Sequence, residues 1–300
     1  MVVAVIVQAR MGSSRLPGKV LERVGGQAVL THVLARAKRI RGVDAVAVTT
    51  TPEPADDAVV NLCRGAGVRW SRGQLPLAGR PGRRDVLAGY YVAADALRAD
   101  VIVRITSDCP LLDPAVAEAV LGVLARRGRR ALYASNVHPP TWYDGTDVEA
   151  FTMNALARAY HDAGPDEREH VTTHLWRHWA EPDVVNVEAP GGVDCSALKL
   201  SVDDRADLER VRRVWASLPD REAFGWRDVV DAYGRAYPSV ASLRARALYG
   251  NAPASAGLRA AFVAGASSAD DVVPAEFGEP RRAAWRLGRA DAREGGYQTT

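Results

Sequence analysis

The sequence has little cysteine and almost no excess of charge of either sign. Its 300 residues include three cysteines, which are far apart and form no C-x-x-C pair. This pattern argues against a disulfide framework and against a cysteine zinc site, and it favours a reducing compartment. The formal net charge is +3, from 39 basic and 36 acidic residues. Such a balance gives no basis for a general nucleic-acid or membrane surface.

The sequence also lacks a long hydrophobic run. The apolar stretch VVAVIV, residues 2–7, is followed by Arg10 and has no basic segment before it. It is too short for a membrane span and does not have the pattern of a signal peptide. The overall composition, 47% hydrophobic and 25% charged, is typical of a globular protein. We therefore expect a cytoplasmic protein with neither a membrane nor a nucleic acid as its partner.

Short β-branched runs alternate with amphipathic segments along the chain. The β-branched runs predict strands over 2–7, 44–50 and 100–106, and a shorter run predicts one over 197–202. The amphipathic segments predict helices over 28–40, 55–65, 85–98, 114–127, 205–216 and 222–235, and a helical pair over 153–180. This alternation predicts an α/β fold with a mostly parallel sheet covered on both faces.

Two loops are expected to meet at one edge of this sheet. Ligands of open α/β sheets bind at the carboxyl ends of the strands, and the loops after Val7 and Ile105 follow such ends. After about Tyr237 the pattern weakens into Ala, Gly and Arg. We therefore predict one domain over 1–237 and a C-terminal extension over 238–300 that is helical or flexible.

The loop after the first strand, QARMGSSRLPGKVL at residues 8–21, combines glycines, hydroxyls and cations. Glycines let the backbone approach an anion, N–H groups and hydroxyls donate to its oxygens, and cations neutralise several phosphate charges at once. This density of charge suits a triphosphate. The Walker A loop is excluded, because it needs a glycine at Ser13 and a hydroxyl at Val20. The dinucleotide fingerprint is excluded too, since no glycine stands two residues after Gly12.

The same loop resembles the A-R-x-x-S-x-R-L-P-x-K signature of the cytidylyltransferase family. That family includes the CMP-Kdo and CMP-sialate synthetases, and the resemblance is strongest to its SpsF-type spore coat polysaccharide branch. Further stretches resemble that branch in the same order along residues 1–217: TTTPEPADDAVV (49–60), RDVLAGYY (84–91), VRITSDCPLLDP (103–114), DGTDVE (144–149), REHVT (168–172) and LSVDDRADLE (200–209).

The resemblance implies both a fold and a reaction. The fold would be a Rossmann-like α/β/α nucleotidyltransferase, similar to GT-A glycosyltransferases, with a mixed and mostly parallel sheet. The reaction would transfer CMP from CTP to a small-molecule acceptor and release pyrophosphate. The wider family also implies a homodimer.

The nucleotide site is expected around the opening loop. We assign Arg15 and Lys19 to the β- and γ-phosphates and Arg10 to the transferred phosphate, because the reaction needs charge neutralisation and positioning. These three are the predicted catalytic residues. The full set of predicted nucleotide-binding residues is Gln8, Ala9, Arg10, Gly12, Ser13, Ser14, Arg15, Lys19 and Arg104.

Two aspartates that follow predicted strands are expected to hold Mg²⁺. Asp108 lies in TSDCP and Asp203 in LSVDD, and the resemblance implies that both are metal ligands. Carboxylate oxygens are the ligands that Mg²⁺ prefers when it also binds substrate phosphates. The nearby Asp113 and Asp204 are better explained as helix caps.

The acceptor is expected to contact clustered polar residues in DGTDVE and REHVT. The resemblance places Asp147, Glu149, Glu169 and His170 near the acceptor pocket. Trp142 and Tyr143 either line that pocket or pack in the core.

Three histidines follow at four-residue spacing. His170, His174 and His178 would share one face of a helix. A zinc site is disfavoured, because H-V-T-T-H lacks the glutamate of a hydrolytic zinc helix and no third ligand follows. Surface or packing histidines are therefore the favoured interpretation.

Three other functions compete with a cytidylyltransferase. The same fold would serve a nucleotidyltransferase that uses another nucleoside triphosphate. A GT-A-like glycosyltransferase would carry a D-x-D metal motif, whereas this loop reads TSDCP. A non-catalytic nucleotide-binding protein is disfavoured, because every loop cation and both aspartates are present.

Overall fold

The computed structural model describes residues 1–127, 132–178 and 184–237. Its strands are β1 (Val3–Gln8), β2 (Arg23–Val24), β3 (Gln27–Ala28), β4 (Ala45–Thr49), β5 (Arg69–Ser71), β6 (Leu75–Pro76), β7 (Arg84–Asp85), β8 (Val101–Thr106), β9 (Tyr133–Ser135), β10 (Glu149–Thr152) and β11 (Val184–Asn186). Its α-helices are α1 (Val29–Ala37), α2 (Asp57–Gly65), α3 (Val86–Leu97), α4 (Pro114–Arg127), α5 (Met153–Asp162), α6 (Thr173–His178), α7 (Arg205–Ala216) and α8 (Trp226–Ala236).

The chain divides into two compact units. The first consists of Met1–His138 and Asp147–Val187, and the second of Pro139–Thr146 and the described residues from Glu188 onward. The extension predicted over 238–300 lies outside the described residues, so it stays a prediction. Within the described ranges, we find no helix with the length and apolarity needed to cross a bilayer.

The first unit is built on a mixed sheet of seven strands, counted over the described residues. Their order is β11-β9-β10-β8-β1-β4-β5. Strand β1 pairs in parallel with both β4 and β8, β4 with β5, and β9 with β11, whereas β10 is antiparallel to both of its neighbours. This arrangement confirms the predicted α/β fold with a mostly parallel sheet.

Alternating side chains of β1 supply two separate cores, one on each face of the sheet. Val3, Val5 and Val7 pack with buried residues of α1, α2 and α4. Ala4 and Ile6 pack with buried residues of α3, α5 and α6. Because successive side chains of a strand point to opposite faces, a continuous apolar run is what a strand covered on both sides requires. The result is a three-layer α/β/α arrangement within this unit.

Most of the predicted helices and strands are present, but two predictions were wrong in detail. The strand expected over 197–202 is absent as a strand, and residue Lys199 forms an isolated parallel bridge with Asp144. The second helix of the pair expected over 153–180 is short and begins only at Thr173. His170 therefore lies before α6 and does not share a helix face with His174 and His178.

The second unit packs aromatic side chains around α7 and α8. Trp142 contacts Trp226 edge to face, with ring centroids 5.1 Å apart, and Tyr143 is fully buried, so Trp142 and Tyr143 both belong to the core.

Helix α7 begins with a capping box, in which the Asp204 carboxylate accepts from the Asp207 N–H. Asp113 accepts in the same way from the Ala115 N–H at the start of α4. Both aspartates are helix caps, as predicted.

Candidate active site

The opening loop leaves the carboxyl end of β1 and turns back on itself. The Met11 carbonyl accepts from the N–H groups of both Ser13 and Gly18, each at 2.9 Å. Gly18 has a φ of 74°, and a Cβ there would lie 3.2 Å from the Met11 side chain. A Cβ at Gly12, in contrast, would meet no atom within 4 Å. The turn requires glycine at position 18 because of its left-handed backbone. Glycine at position 12 is not required by the backbone, and its missing side chain leaves open space beside the loop.

Lys19 and Asp108 bring the two predicted loops together. Strands β1 and β8 are parallel neighbours, with Val7 opposite Ile105, so the loops that follow them emerge at the same edge of the sheet. The Lys19 Nζ atom lies 2.7 Å from the Asp108 Oδ2 atom, and the two side chains are 13% and 20% exposed. This contact confirms that the loops after Val7 and Ile105 face each other.

The other loop cations lie nearer to solvent. Arg10 approaches Glu169, with Nη2 3.8 Å from Oε1, and Glu169 also lies 3.5 Å from the Nε atom of Arg83. Arg15 is exposed. Thus a predicted phosphate-binding cation and a predicted acceptor residue are in contact. Of the predicted loop donors, Ser13 accepts from the Leu16 N–H, while Gly12 and Ser14 are exposed.

Buried hydrogen bonds fix the base of the loop. The Ala9 N–H donates to the Thr49 carbonyl at 3.0 Å, which continues the β1–β4 ladder beyond the strand. The Met11 N–H, two residues later, donates to the Asp56 carboxylate at 2.6 Å. Asp56 is 2% exposed and also accepts from Thr51. We did not predict this residue, although it lies in the TTTPEPADD stretch that resembles the family.

Arg104 connects the end of β1 with a buried carboxylate. Its Nε donates to the Gln8 Oε1 atom at 3.3 Å, and its Nη1 pairs with Glu149. Glu149 also accepts from the hydroxyls of Tyr133, at 2.6 Å, and Thr172, at 2.5 Å. Glu149 was predicted to contact the acceptor, but it is only 4% exposed. Its burial favours a role in positioning Arg104.

The pKa of Glu149 follows from these contacts. Burial alone would raise the pKa of this carboxyl group. The charge of Arg104 and the hydrogen bonds from Thr172 and Tyr133 outweigh burial and hold the pKa below its ordinary value. The same Glu149 charge raises the pKa of Arg104 despite its burial. Glu149 and Arg104 are therefore both charged at neutral pH.

In the second unit, Asp203 belongs to a network centred on Lys199. The Lys199 Nζ atom lies 2.8 Å from Asp203 Oδ2 and 3.4 Å from Asp144 Oδ2. Burial lowers the pKa of Lys199, but the neighbouring carboxylates outweigh it and raise this pKa above its ordinary value. The sequence pointed to Asp203 and missed Lys199, because a lone lysine inside an apolar run carries no recognisable signal.

Two predicted acceptor residues, Asp147 and His170, remain to be placed. Asp147 is half-buried and His170 is exposed. The His170 carbonyl accepts from the Thr173 N–H, at 3.0 Å, at the start of α6.

The donor set around Asp108 fits a magnesium ion. The Asp108 carboxylate is partly exposed and is neutralised by Lys19. A lysine side chain is flexible, so its ammonium group can move from Asp108 to phosphate oxygens. Asp203 is similar, with a side chain 19% exposed and one lysine at hydrogen-bond distance. Partly exposed carboxylate oxygens of this kind are the ligands that Mg²⁺ prefers.

The chain is similar to known cytidylyltransferases in sequence and in structure. It is 28% identical over 221 residues to the spore coat polysaccharide biosynthesis protein SpsF of Bacillus subtilis, covering 72% of this chain and 87% of that protein. It is 38% identical over 132 residues to a 3-deoxy-manno-octulosonate cytidylyltransferase of Anaeromyxobacter dehalogenans, covering 44% of this chain and 51% of that enzyme.

A solved structure extends the similarity over most of the described chain. A cytidylyltransferase from Leptospira borgpetersenii superposes with a TM-score of 0.72 at 28% identity, covering 80% of this chain and 96% of that one. The sequence profile of the family described as cytidylyltransferase matches residues 4–191. That match includes β1, the opening loop, Asp108 and the Arg104–Glu149 pair. The protein is therefore a member of the cytidylyltransferase family.

Proposed function

We propose that this protein transfers CMP from CTP to a small-molecule acceptor with release of pyrophosphate. The observation that carries the proposal is the contact between Lys19 and Asp108, which joins a cationic Gly/Ser loop to a carboxylate at one sheet edge. A triphosphate and its metal need such a pairing of opposite charges. Membership of the cytidylyltransferase family supports CTP as the nucleotide.

The loop cations would hold the triphosphate. Arg15 and Lys19 would bind the β- and γ-phosphates, and Arg10 the transferred phosphate. An acceptor oxygen attacks the α-phosphorus, its bond to phosphorus forms as the bond to pyrophosphate breaks, and the acceptor loses its proton to solvent. Catalysis then depends on positioning and charge neutralisation, without a nucleophile from the protein.

Lys19 has to change partners when the nucleotide binds. In the structure its ammonium group neutralises Asp108. Asp108 of the first unit would hold Mg²⁺, which when bound would neutralise phosphate charge and orient the triphosphate. Asp203 of the second unit stays a predicted ligand. Lys19 would then turn from Asp108 to the phosphate oxygens.

The acceptor would be a sugar, a polyol, an acidic sugar or a phosphonate. Glu169, Asp147 and His170 are its proposed contacts, and Glu149 would act by holding Arg104 in place. The names of the relatives above concern polysaccharide biosynthesis and an acidic sugar, which supports an acceptor used for a surface polymer. An acceptor of secondary metabolism is the alternative proposal. We also expect a homodimer, which sedimentation would test.

Pyrophosphate release tests the reaction class. Purified protein and Mg²⁺ would be given CTP, UTP, GTP or ATP with a panel of acidic sugars, polyol phosphates and phosphonates. We expect CTP-selective release that Asp108→Ala abolishes and that the exposed-helix control Asp95→Ala retains. Selective release with another triphosphate would instead establish a different nucleotidyltransferase. Transfer from a nucleotide sugar without pyrophosphate would favour a glycosyltransferase.

A further inference from the structure

Glu167, His174 and His178 form a cluster of metal-binding side chains in the first unit. The Glu167 Oε2 atom lies 2.9 Å from the His174 Nδ1 atom, and Oε1 lies 2.9 Å from the His178 Nε2 atom. The three ligand atoms all lie within 4.8 Å of one another. Among the described residues, this is the one group of His, Cys, Asp and Glu side chains that comes together in this way.

We propose that these three side chains bind a divalent transition-metal ion, with zinc as the preferred ion. Two imidazoles and one carboxylate are typical zinc ligands, and they leave a fourth position for water. With zinc bonds of about 2.0–2.1 Å, tetrahedral ligand atoms lie about 3.4 Å apart. The two contacts of 2.9 Å are somewhat shorter than this value, and all three ligand atoms lie within 4.8 Å of one another, so small side-chain rotations are sufficient.

The third ligand was missing from the sequence pattern because it precedes the histidines. His174 and His178 are four residues apart on α6, and their rings lie side by side with centroids 4.4 Å apart and planes inclined by 37°. Glu167 comes from the turn before the helix and is oriented by the Gly164 N–H, which donates to it at 3.3 Å. A pattern that looks for the third ligand after the histidines therefore misses Glu167.

The burial of the cluster suits an ion that is held by packed side chains and that solvent can deliver. The side chains of Glu167 and His174 are 13% and 11% exposed, so two ligands are held by packing. The side chain of His178 is 53% exposed and gives access to the site. Bulk solvent therefore reaches the site from one side, as ion exchange requires.

A metal here would hold α6 against the turn that leads to Arg168 and Glu169. Helix α6 has six residues, which is too short to be stable by itself. Arg168 binds the Asp85 carboxylate at 2.8 Å, and Glu169 contacts Arg10 of the opening loop. The ion would thus order a segment that touches the nucleotide loop, without belonging to the magnesium site.

Zinc calorimetry on the full chain, stripped of metal and without an affinity tag, tests this site. We expect one Zn²⁺ per chain in the presence of excess Mg²⁺, and the absorption bands of tetrahedral Co²⁺ when Co²⁺ is used as the probe. His178→Gln should weaken binding at least about tenfold, since even loss of a ligand's supporting contact costs about 10–100-fold. His161→Gln, at an exposed histidine of α5, is the matched control and should bind normally.

Two further variants separate this site from the proposed magnesium site. His178→Cys offers another zinc ligand and should restore binding, whereas Asp108→Asn should leave zinc binding unchanged. The proposal is overturned if the His178→Gln variant, shown to be folded by its thermal unfolding transition, binds zinc as tightly as the unmodified chain. It is also overturned if Asp108→Asn removes the zinc, or if the unmodified chain binds none.

Discussion

Lys19 is the residue on which the proposed chemistry depends most directly. It lies at the end of the opening loop, with its side chain 13% exposed and its ammonium group 2.7 Å from Asp108. A charge in this position is already desolvated and needs little reorganisation to meet a developing negative charge. Arg10 and Arg15 are more exposed to solvent than Lys19.

Replacement of Lys19 by Met should therefore impair catalysis far more than stability. We expect the rate of pyrophosphate release from CTP to fall about 10²–10³-fold, as for loss of one preorganised donor. Lys38→Met is the control, because Lys38 is an exposed lysine whose Nζ binds only a carbonyl at the end of α2 in the described contacts. Equal losses in the two variants would contradict a specific role for Lys19.

Glu149 should make stability depend on pH. Its pKa in the folded protein is lower than the ordinary value of 4.5. A group of this kind contributes stability above the pKa of the unfolded chain, and this contribution disappears as the pH falls through the folded pKa. Stability should therefore decline below about pH 4.5 partly because Glu149 takes up a proton.

Glu149→Gln should remove that part of the acid sensitivity. The variant should be less stable at pH 7 by about 3–5 kcal/mol, because it leaves the buried Arg104 without its counter-charge. Its stability should also fall less steeply than that of the unmodified protein as the pH decreases below about 4.5. Urea unfolding at several pH values measures both effects. Parallel pH profiles for the two proteins would be inconsistent with this assignment.

The opening loop has two glycines with different functions, and substitution should separate them. Gly18→Ala places a side chain at a φ of 74° and 3.2 Å from Met11, so it should destabilise the protein by about 1–2 kcal/mol. Gly12→Ala meets nothing within 4 Å and should change stability by less than about 0.5 kcal/mol. It should nevertheless weaken CTP binding, because it narrows the space proposed for phosphate.

Thermal unfolding and CTP titration of both variants measure these two effects. Gly26→Ala is a control for the left-handed backbone, with a φ of 89° and no atom within 4 Å of the added Cβ. A Gly12→Ala protein that binds CTP normally would show that the phosphates lie elsewhere.

Helices and strands were predictable where a regular pattern was long enough to reveal them. Strand β1 and its parallel neighbours β4 and β8 have five or six residues and clear β-branched runs. Strands β9 and β11 have three residues each, which is too few for a period to be recognised. The antiparallel β10 was also missed, because it has four residues and its first, Glu149, belongs to the polar stretch DGTDVE that we assigned to acceptor binding.

The same limit applies to the candidate site. The Lys19–Asp108 contact followed from a topological rule, since neighbouring parallel strands end at the same edge. The pairing of Arg104 with Glu149 needs an antiparallel strand inserted beside β8, and no local pattern in the sequence indicates that insertion. Glu167 escaped notice because a carboxylate in a turn becomes a metal-ligand candidate only when a helix places two histidines against it.

At the scale of the whole molecule, the proposed nucleotide site at the sheet edge does not by itself identify the nucleotide. Membership of the cytidylyltransferase family indicates CTP. The family profile spans residues 4–191 and therefore includes the seven-stranded sheet of the described chain except its first residue, Val3. Neither the sheet nor the loop cations distinguish cytosine from another base. Selectivity for CTP is thus the claim that joins the geometry to the family.

Calorimetric titration of the purified protein with CTP, UTP, GTP and ATP in the presence of Mg²⁺ tests that claim most directly, because it requires no knowledge of the acceptor. We predict saturable CTP binding, at least about tenfold tighter than binding of the other three triphosphates, the difference that about 1.4 kcal/mol of base recognition gives. Lys19→Met should weaken it. Absence of CTP binding, or equal affinity for all four triphosphates, would contradict the account.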